Sequence, residues 1–398
     1  MLTLIKNETI KLLKRPKTLV TFIAFLLLIS LIAFSSYKEA ENRKQWNTPD
    51  YKISNAEYNL EWMKEELKNP NTDEMYKTQL KESIKQEEEN IIQYKKEKES
   101  GIADWRISVK ASIEENNSLL QQPELDEGSK SYYESQIAYN QYLLDNDIDP
   151  TKGIEFNSFN AIQTIFLILG MVFLAVGLCI FAADMVSGEY TPATMKVLLI
   201  QPVSRGKVLF SKFISVIITC ILLITSVEGI AFLLIGLFFG FGNAHFPISQ
   251  GSKFAFDKIT TSDMAKQVHE IMGSSTMTPI WKVTLNSLLL QILFIIAVVS
   301  FVFLISTVLK SSMLSTSLST VLIVALFIIP NLSASIRKIM PYCFLTYGSP
   351  SDLLSGYINM NYNTTFITPT FAIIVMLIWS TVCYLVAHFV FVKKDILI

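Results

Sequence analysis

Residues 283–309 read VTLNSLLLQILFIIAVVSFVFLISTVL, a run without a charged side chain that is bounded by Lys282 and Lys310. A helix needs about 20 mostly apolar residues to cross the hydrocarbon core of a bilayer. The run therefore predicts a transmembrane helix. A second apolar run, residues 313–329, begins after only two serines, Ser311 and Ser312, and predicts a further span directly behind the first.

Other parts of the chain have the same character. Similar apolar runs cover residues 19–34, 167–181, 213–236 and 371–392. Half of the 398 residues are hydrophobic (51%), the mean hydropathy is +0.38, and only 17% are charged, against roughly 25% in soluble globular domains. The sequence therefore predicts an all-α, polytopic membrane protein with six transmembrane helices rather than a set of soluble domains.

Charge is distributed very unevenly along the chain. The whole sequence has a formal net charge of −1, yet residues 38–155 hold 16 Lys and Arg against 26 Asp and Glu. This segment predicts a water-facing acidic module, residues 38–157, inserted between the first and second spans. The four cysteines show no metal-ligand spacing and no pairing pattern, so neither a zinc site nor a disulfide framework is expected.

The inserted module has helical patterns. Ser54 followed by Glu57 fits a capping box at a helix start. Apolar stripes at helical spacing follow, and they predict helices paired as antiparallel hairpins. The stripes are Tyr76, Leu80, Ile84, Ile91 and Tyr94; Trp105, Val109 and Ile113; and Tyr133, Ile137 and Leu144. Two interpretations stay open: a module that captures or guards a substrate or docks a partner, and a solvated helical spacer.

Basic residues in short loops indicate orientation, because cytoplasmic loops of membrane proteins are enriched in Lys and Arg. With both termini inside, the short inner segments are strongly basic, and the acidic module is extracellular. The predicted division is a cytoplasmic amphipathic N-terminal helix (1–17), the first span (18–37), the extracellular module (38–157), the second span (158–186), a cytoplasmic loop (187–207), and the third to sixth spans with outer loops (208–398).

The cytoplasmic loop predicts a short helix of its own. Residues 184–205 read DMVSGEYTPATMKVLLIQPVSR. Thr191 is a good N-cap, Pro192 suits the first helical position, and Pro202 ends the helix. The result is a helix of about nine residues, roughly 13 Å long. Its apolar face, with Leu198 and Leu199, would fit a groove on a partner protein.

This loop resembles the cytoplasmic coupling loop of ABC type-2 (ABC-2) exporter permeases. The matching positions are Glu189, Thr191, Thr194, Leu198, Leu199, Pro202, Ser204, Arg205 and Lys212. Glu8 and the basic run of residues 11–17 resemble the amphipathic N-terminal helix of that family, and residues 391–396 resemble its C-terminal ending. Many family members have almost no segment between the first two spans, so the role of the module is not inherited from the resemblance.

The resemblance implies a partner complex. It implies a second copy of the permease, or a homologous permease, with two ABC ATPase subunits that contact the loop helix and the N-terminal helix. No Gly-x-x-x-x-Gly-Lys-Ser/Thr phosphate loop occurs in the chain, so ATP and magnesium are expected on the ATPase, with no cofactor and no enzyme activity here. Glu189 and Arg205 would anchor the loop at the ATPase, or pair with Glu8 and the basic N-terminal residues.

Glu228 is the one acidic residue inside an apolar run. A lone carboxylate in the membrane is expensive, so it should face a partner, water or the transport path. Two interpretations stay open: a role in the path, or a neutral Glu hydrogen-bonded to a neighbouring helix. The Ser and Thr residues of the fifth span, between Ser311 and Thr320, predict close helix packing.

Three functions compete. The first is the permease subunit of an ATP-driven exporter of an amphipathic or hydrophobic substrate, such as an antimicrobial peptide, a drug, a lipid-linked molecule or an ion. The second is an ABC-type sensing or immunity component whose module detects a peptide without net transport. A membrane enzyme ranks last, because the spans hold no paired catalytic carboxylates, metal cluster or nucleophile–base pair. A bacterial cell membrane is the expected location, with lipid and not nucleic acid as a contact.

Overall fold

The computed structural model describes residues 1–69, 73–100, 104–122, 125, 127–190, 203–256, 268–271 and 273–393. The helices are α1 (Leu2–Leu13), α2 (Pro16–Trp46), α3 (Pro49–Leu67), α4 (Glu74–Ser100), α5 (Trp105–Leu120), α6 (Glu127–Asp145), α7 (Ser158–Ile168), α8 (Leu174–Ala182), α9 (Arg205–Phe239), α10 (Ile280–Val308), α11 (Ser312–Leu332), α12 (Ala334–Arg337), α13 (Pro350–Ser355), α14 (Ile358–Tyr362) and α15 (Pro369–Lys393).

Within the described ranges, six helical segments are long and apolar enough to cross a membrane. They are α2, the segment that contains α7 and α8, and then α9, α10, α11 and α15, and each covers one of the apolar runs of the sequence. The prediction of an all-α polytopic membrane protein is confirmed. Because six spans separate the termini, both termini belong to one face of the bundle (the terminus face), and the inserted module belongs to the other (the module face).

The core of the bundle is built around α10. This helix packs against α15, α8 and α9, and its Phe294, Val298 and Phe303 are completely buried. The first and fifth spans lie at the periphery. Only 22% of the residues in the most apolar stretch of α2 and 17% of those in α11 are buried, compared with 67% in α9. These two helices therefore present apolar surface away from the bundle.

The second span is not a regular helix. Between α7 and α8 the chain makes one π-helical turn, Leu169–Phe173. The turn contains Gly170, whose backbone lies against the carbonyl of Gly348 so closely that a Cβ on Gly170 would sit 1.9 Å from that oxygen. Only glycine permits this approach. The π-turn therefore fits the second span against the chain that leads into α13.

The inserted module consists of two helical hairpins, α3 with α4 and α5 with α6. The predicted stripes bury Leu80, Ile91 and Val109, as hairpin pairing requires. Two details of the prediction are wrong. Ser54 lies inside α3, which begins at Pro49 with Thr48 as its N-cap. In α6 the fully buried position is Leu143 rather than Leu144.

The loops of the module face hold short strands that the sequence analysis did not predict. β1 (Pro247–Gln250) pairs with β4 (Thr276–Pro279), and β2 (Lys253–Phe256) pairs with β3 (Val268–Ile271), both antiparallel. The turn between β1 and β2 donates from the backbone N–H of Gly251 to the carbonyl oxygen of Leu354 at 2.9 Å. The strands are thereby tied to α13 and α14.

Candidate functional site

On the terminus face, three elements meet around the start of the coupling loop. They are α1, the 3₁₀ turn Ser187–Tyr190 at the end of the second span, and the first turns of α9. Ile5, Glu8 and Leu12 share one face of α1, because they are spaced three and four residues apart. This face lies along α9, where the Ser215 hydroxyl donates to the Ile5 carbonyl oxygen at 3.0 Å.

The corner between α1 and α2 follows from local sequence. Pro16 occupies the first turn of α2, and Arg15 before it is extended, as the residue preceding a proline prefers. The Thr18 hydroxyl then donates to the carbonyl oxygen of Leu12 at 2.5 Å. Leu12 is 1% exposed. The corner therefore fixes the direction in which α1 runs along the terminus face.

Four charged side chains connect these elements, and we call them the loop-anchor cluster: Glu8, Lys11, Glu189 and Lys212. Lys212 Nζ lies 2.8 Å from Glu189 Oε1 and 3.1 Å from Glu8 Oε2. Lys11 Nζ reaches the same Glu189 oxygen at 2.9 Å. One ammonium group of α9 thus contacts both a carboxylate of α1 and the carboxylate at the start of the coupling loop.

Most of the charge in the loop-anchor cluster is removed from water, which makes its pairing obligatory. The side chains of Lys212 and Glu189 are 3% and 5% exposed, and that of Glu8 is 17% exposed. A charge removed from water is tolerated when it is paired and hydrogen-bonded, whereas an unpaired one is strongly destabilising. Two carboxylates and two ammonium groups balance in this cluster. The charges therefore hold α1, the 3₁₀ turn and α9 in one arrangement.

A second set of contacts holds the end of the second span. Lys17 Nζ lies 2.9 Å from Asp184 Oδ1. The Ser306 hydroxyl of α10 accepts from the backbone N–H groups of Val186 and Ser187, both at 3.1 Å. The hydroxyl of Ser315 in α11 donates to the carbonyl oxygen of Ala183 at 2.6 Å. The residues leading into the coupling loop are therefore fixed to three other spans, the first, the fourth and the fifth.

Sequence reasoning did not single out Ser306 or Asp184. Their signal in the sequence is weak: Ser306 begins a Ser-Thr pair near the end of the fourth apolar run, and Asp184 is a single acidic residue at the end of the second span. The prediction that the small polar residues of the fifth span serve helix packing is confirmed for Ser315 and Ser319, which are both completely buried.

The structure places some of the residues predicted for ATPase coupling and not others. Glu189 and Glu8 meet in the loop-anchor cluster through Lys212, and Glu189 also contacts Lys11, so its predicted pairing with an N-terminal basic residue is observed; anchoring of the loop at the ATPase stays a prediction. Arg205 is the first residue of α9, outside this cluster, and is exposed. The other predicted coupling residues lie outside the described residues: Thr191, Thr194, Leu198, Leu199 and Pro202.

Glu228 lies in the middle of α9 and is 3% exposed. Gln291 of α10 donates from Nε2 to Glu228 Oε1 at 2.6 Å. This is the arrangement in which an acidic residue is hydrogen-bonded to a neighbouring helix, as expected from the cost of an unpaired carboxylate in a membrane. A role for Glu228 in the transport path stays a prediction.

A cavity of about 370 Å³ opens between the π-turn of the second span, the end of α11 and the helices α13 and α14. Its lining includes Gly170, Arg337, Asp352 and Tyr362. Burial raises the pKa of Asp352. The cavity is a recess of mixed polar and apolar lining on the module face.

Comparison with known proteins agrees with this architecture. A family model described as "ABC-2 family transporter protein" matches residues 2–396. The chain is also similar to a protein named "Uncharacterized protein YhcI" from Bacillus subtilis (strain 168), with 26% identity over 307 residues, which are 73% of this chain and 84% of the relative. The family match spans all six apolar helices, the coupling loop and the inserted module. The chain therefore belongs to the ABC-2 family of transporter proteins.

Proposed function

We propose that this protein is the permease subunit of an ATP-driven exporter. It moves an amphipathic or hydrophobic substrate, such as an antimicrobial peptide, a drug, a lipid-linked molecule or an ion, out of the cell. ATP and magnesium are bound by separate ABC ATPase subunits, whose association the family membership implies. Both termini and the coupling loop face the cytoplasm, and the inserted module faces outward.

The loop-anchor cluster is the observation that carries this proposal. The coupling loop begins at the 3₁₀ turn that holds Glu189 and runs into the first turns of α9, which hold Lys212, so a force applied to the loop acts on these two residues. Because these two charges also bind Glu8 and Lys11 of α1, the N-terminal helix and the third span must move together with the loop. Breaking the cluster instead would strand buried charges. Closure of the ATPases would thus tilt helices as a unit.

The exposed apolar faces support the predicted second permease. In the most apolar stretches of the first and fifth spans, only 22% and 17% of the residues are buried. In a membrane, lipid or another helix covers such surface. A cleft of about 470 Å³ lies between the first, second and fifth spans and is lined by Phe25, Val176 and Val324 among others. Side chains of a neighbouring helix could pack into it. A second copy, or a homologous permease, would pack on this side.

Leu198→Asp tests the coupling. The variant and the wild type are co-purified with the partner ATPase, and ATP hydrolysis is measured across a panel of amphipathic substrates. A charge on the apolar face predicted for the loop helix should abolish substrate-stimulated hydrolysis, because the proposal requires that face to bury itself in an ATPase groove. Ile107→Asp is the matched control, since Ile107 is an exposed apolar residue of α5 in the inserted module, on the opposite face of the bundle. Equal stimulation of both variants would refute the proposal.

The inserted module supports a second candidate function, sensing of an external peptide without net transport. Tyr142 of α6 donates to the carbonyl oxygen of His245 at 3.3 Å, so the module contacts the loop between the third and fourth spans. Deletion of residues 55–146 separates the two functions. Export that persists while a response to external peptide is lost supports sensing. Export that is lost, in a variant that still assembles with its ATPase, supports a role of the module in the path.

A further inference from the structure

A cavity of about 420 Å³ lies where the inserted module meets the strands of the module face, and we call it the junction cavity. Its first wall is one face of α6, where Tyr132, Gln136 and Tyr139 are spaced three and four residues apart. The second wall comes from the strands, and the third from Tyr357, just before α14. Three segments that are distant in sequence therefore form one recess.

The strand wall has a fixed geometry. Ser249 of β1 and Met277 of β4 are directly opposite partners in the antiparallel register, so their side chains lie on one face. Glu270 belongs to β3, where it is opposite Phe254. Phe254 is 5% exposed and packs edge-on against Tyr357, with the ring centroids 6.1 Å apart. The position of Glu270 beside Tyr357 is thereby set by the packing of the strands.

The lining of the junction cavity has one charge sign. It contains three tyrosines, a thioether, neutral polar groups and a single carboxylate, Glu270, with no basic residue among the described lining. Its volume is within the range of small-ligand sites. The surrounding module adds negative potential, since residues 38–155 hold 26 acidic and 16 basic residues. Such a field concentrates cations near a recess.

We propose that the junction cavity binds an organic cation, that is, an ammonium or guanidinium group carried on a short apolar stem. Glu270 supplies the countercharge. The rings of Tyr132, Tyr139 and Tyr357 supply aromatic surfaces, which attract a cation through the ring quadrupole. Met277 contacts the stem. The group can belong to a Lys or Arg side chain of a peptide or to a small amine, because both carry the same chemistry.

The acid–base properties of the lining agree with this assignment. Burial raises the pKa of Tyr139, so its ring is neutral at all physiological pH values. Burial, together with the negative charge of Glu270, raises the pKa of Tyr357. A cation placed between them meets neutral rings and one carboxylate, which is the arrangement that favours a positively charged ligand without an excess of buried negative charge.

Calorimetric titration of the purified full-length protein in detergent tests the proposal. The probe is trilysine blocked at both ends, the neutral control is the same peptide acetylated on every ε-amine, and butylamine represents small amines. Glu270→Gln should weaken trilysine binding about tenfold, because a charge-assisted contact is lost. Tyr139→Leu should weaken it roughly threefold or more. Tyr139→Phe keeps the ring and should leave the affinity unchanged.

Glu57→Gln is the charge-matched control. Glu57 is a half-exposed residue of α3 that pairs with Lys95, and its neutralisation should not alter binding. Equal losses in Glu57→Gln and Glu270→Gln would show diffuse attraction and overturn the site, as would equal affinities for trilysine and its acetylated form. Butylamine binding would support small amines as occupants, and binding of trilysine alone would support a peptide. The result is independent of the exporter proposal, since the titration needs neither ATPase nor transport.

Discussion

The loop-anchor cluster and the ion pairs of the inserted module use the same chemistry in opposite surroundings. Lys212 and Glu189 lie 2.8 Å apart with side chains 3% and 5% exposed. Lys64 and Glu88, which link α3 to α4, also lie 2.8 Å apart, but their side chains are 48% and 50% exposed. Distance alone does not distinguish the two pairs. Desolvation does.

The difference determines what each pair can do. An exposed pair exchanges contacts with water and salt, so it contributes little to stability. A buried pair is no guarantee of stability either, since desolvation offsets its attraction. What burial adds is the penalty for separation. The module pairs therefore help to align a hairpin, whereas the loop-anchor cluster obliges three elements of the terminus face to keep one arrangement.

Removing Lys212 should have the largest effect. Lys212→Met leaves Glu8 without the partner that the structure shows for it and should lower the free energy of unfolding by about 3–5 kcal/mol. Lys64→Met in the module should lower it by less than about 1 kcal/mol. Denaturant titration of the solubilised proteins, followed by circular dichroism, measures both. Similar losses for the two variants would contradict the distinction between buried and exposed pairs.

Glu228 and Gln291 extend the comparison to a polar pair inside the membrane. Gln291→Leu removes the donor to Glu228 Oε1 and should lower the free energy of unfolding by about 1–3 kcal/mol, because a buried acceptor loses its partner. The double variant Glu228→Met with Gln291→Leu should recover most of that loss, since no polar group is left unpaired. A double variant less stable than the single one would argue against a structural pair and for a ligand at Glu228.

Salt should produce the smallest effect and separate the two regions most directly. Raising the ionic strength from about 0.1 M to 1 M shortens the Debye length from about 10 Å to 3 Å. Hydrogen exchange should become slightly faster in α3 and α4, where Lys95–Glu57 and Lys64–Glu88 are exposed. Exchange at α1 and the start of α9 should not change. Faster exchange at α1 would show that salt screens the buried contacts of Lys212 with Glu8 and Glu189.

The sequence predicted the spans for a simple physical reason. A membrane helix must satisfy its own backbone and be apolar over its length, and both properties are local, so residues 283–309 predict a span without knowledge of any partner. The helical hairpins of the module were predicted from stripes such as Leu80 and Ile91. The details that depend on neighbours were missed or wrong: Ser54 is inside α3, and β1 to β4 were not predicted.

The candidate site was predictable only in part. Glu8, Glu189 and Lys212 could be named because they match family positions, and a pairing of Glu189 with the N-terminal residues was one of two predicted alternatives. The sequence could not choose between the alternatives, because the contacts join residues about 180 and 200 positions apart. The packing of α1 along α9 brings them together. Ser306 gives no sequence signal strong enough to mark it, because its role is to accept two N–H groups from another helix.

By itself, the sequence determined that this chain has six membrane spans and carries an acidic helical insertion, and it predicted a loop suited to a partner protein. Hydrophobic length, charge segregation and helix capping are properties of adjacent residues. Tertiary structure alone decided which charges are buried and where two backbones approach closely enough to require glycine, as at Gly170 and Gly348. It also decided which three segments enclose the junction cavity. These depend on contacts between elements remote in sequence, where burial sets the energy of a charge or a close approach.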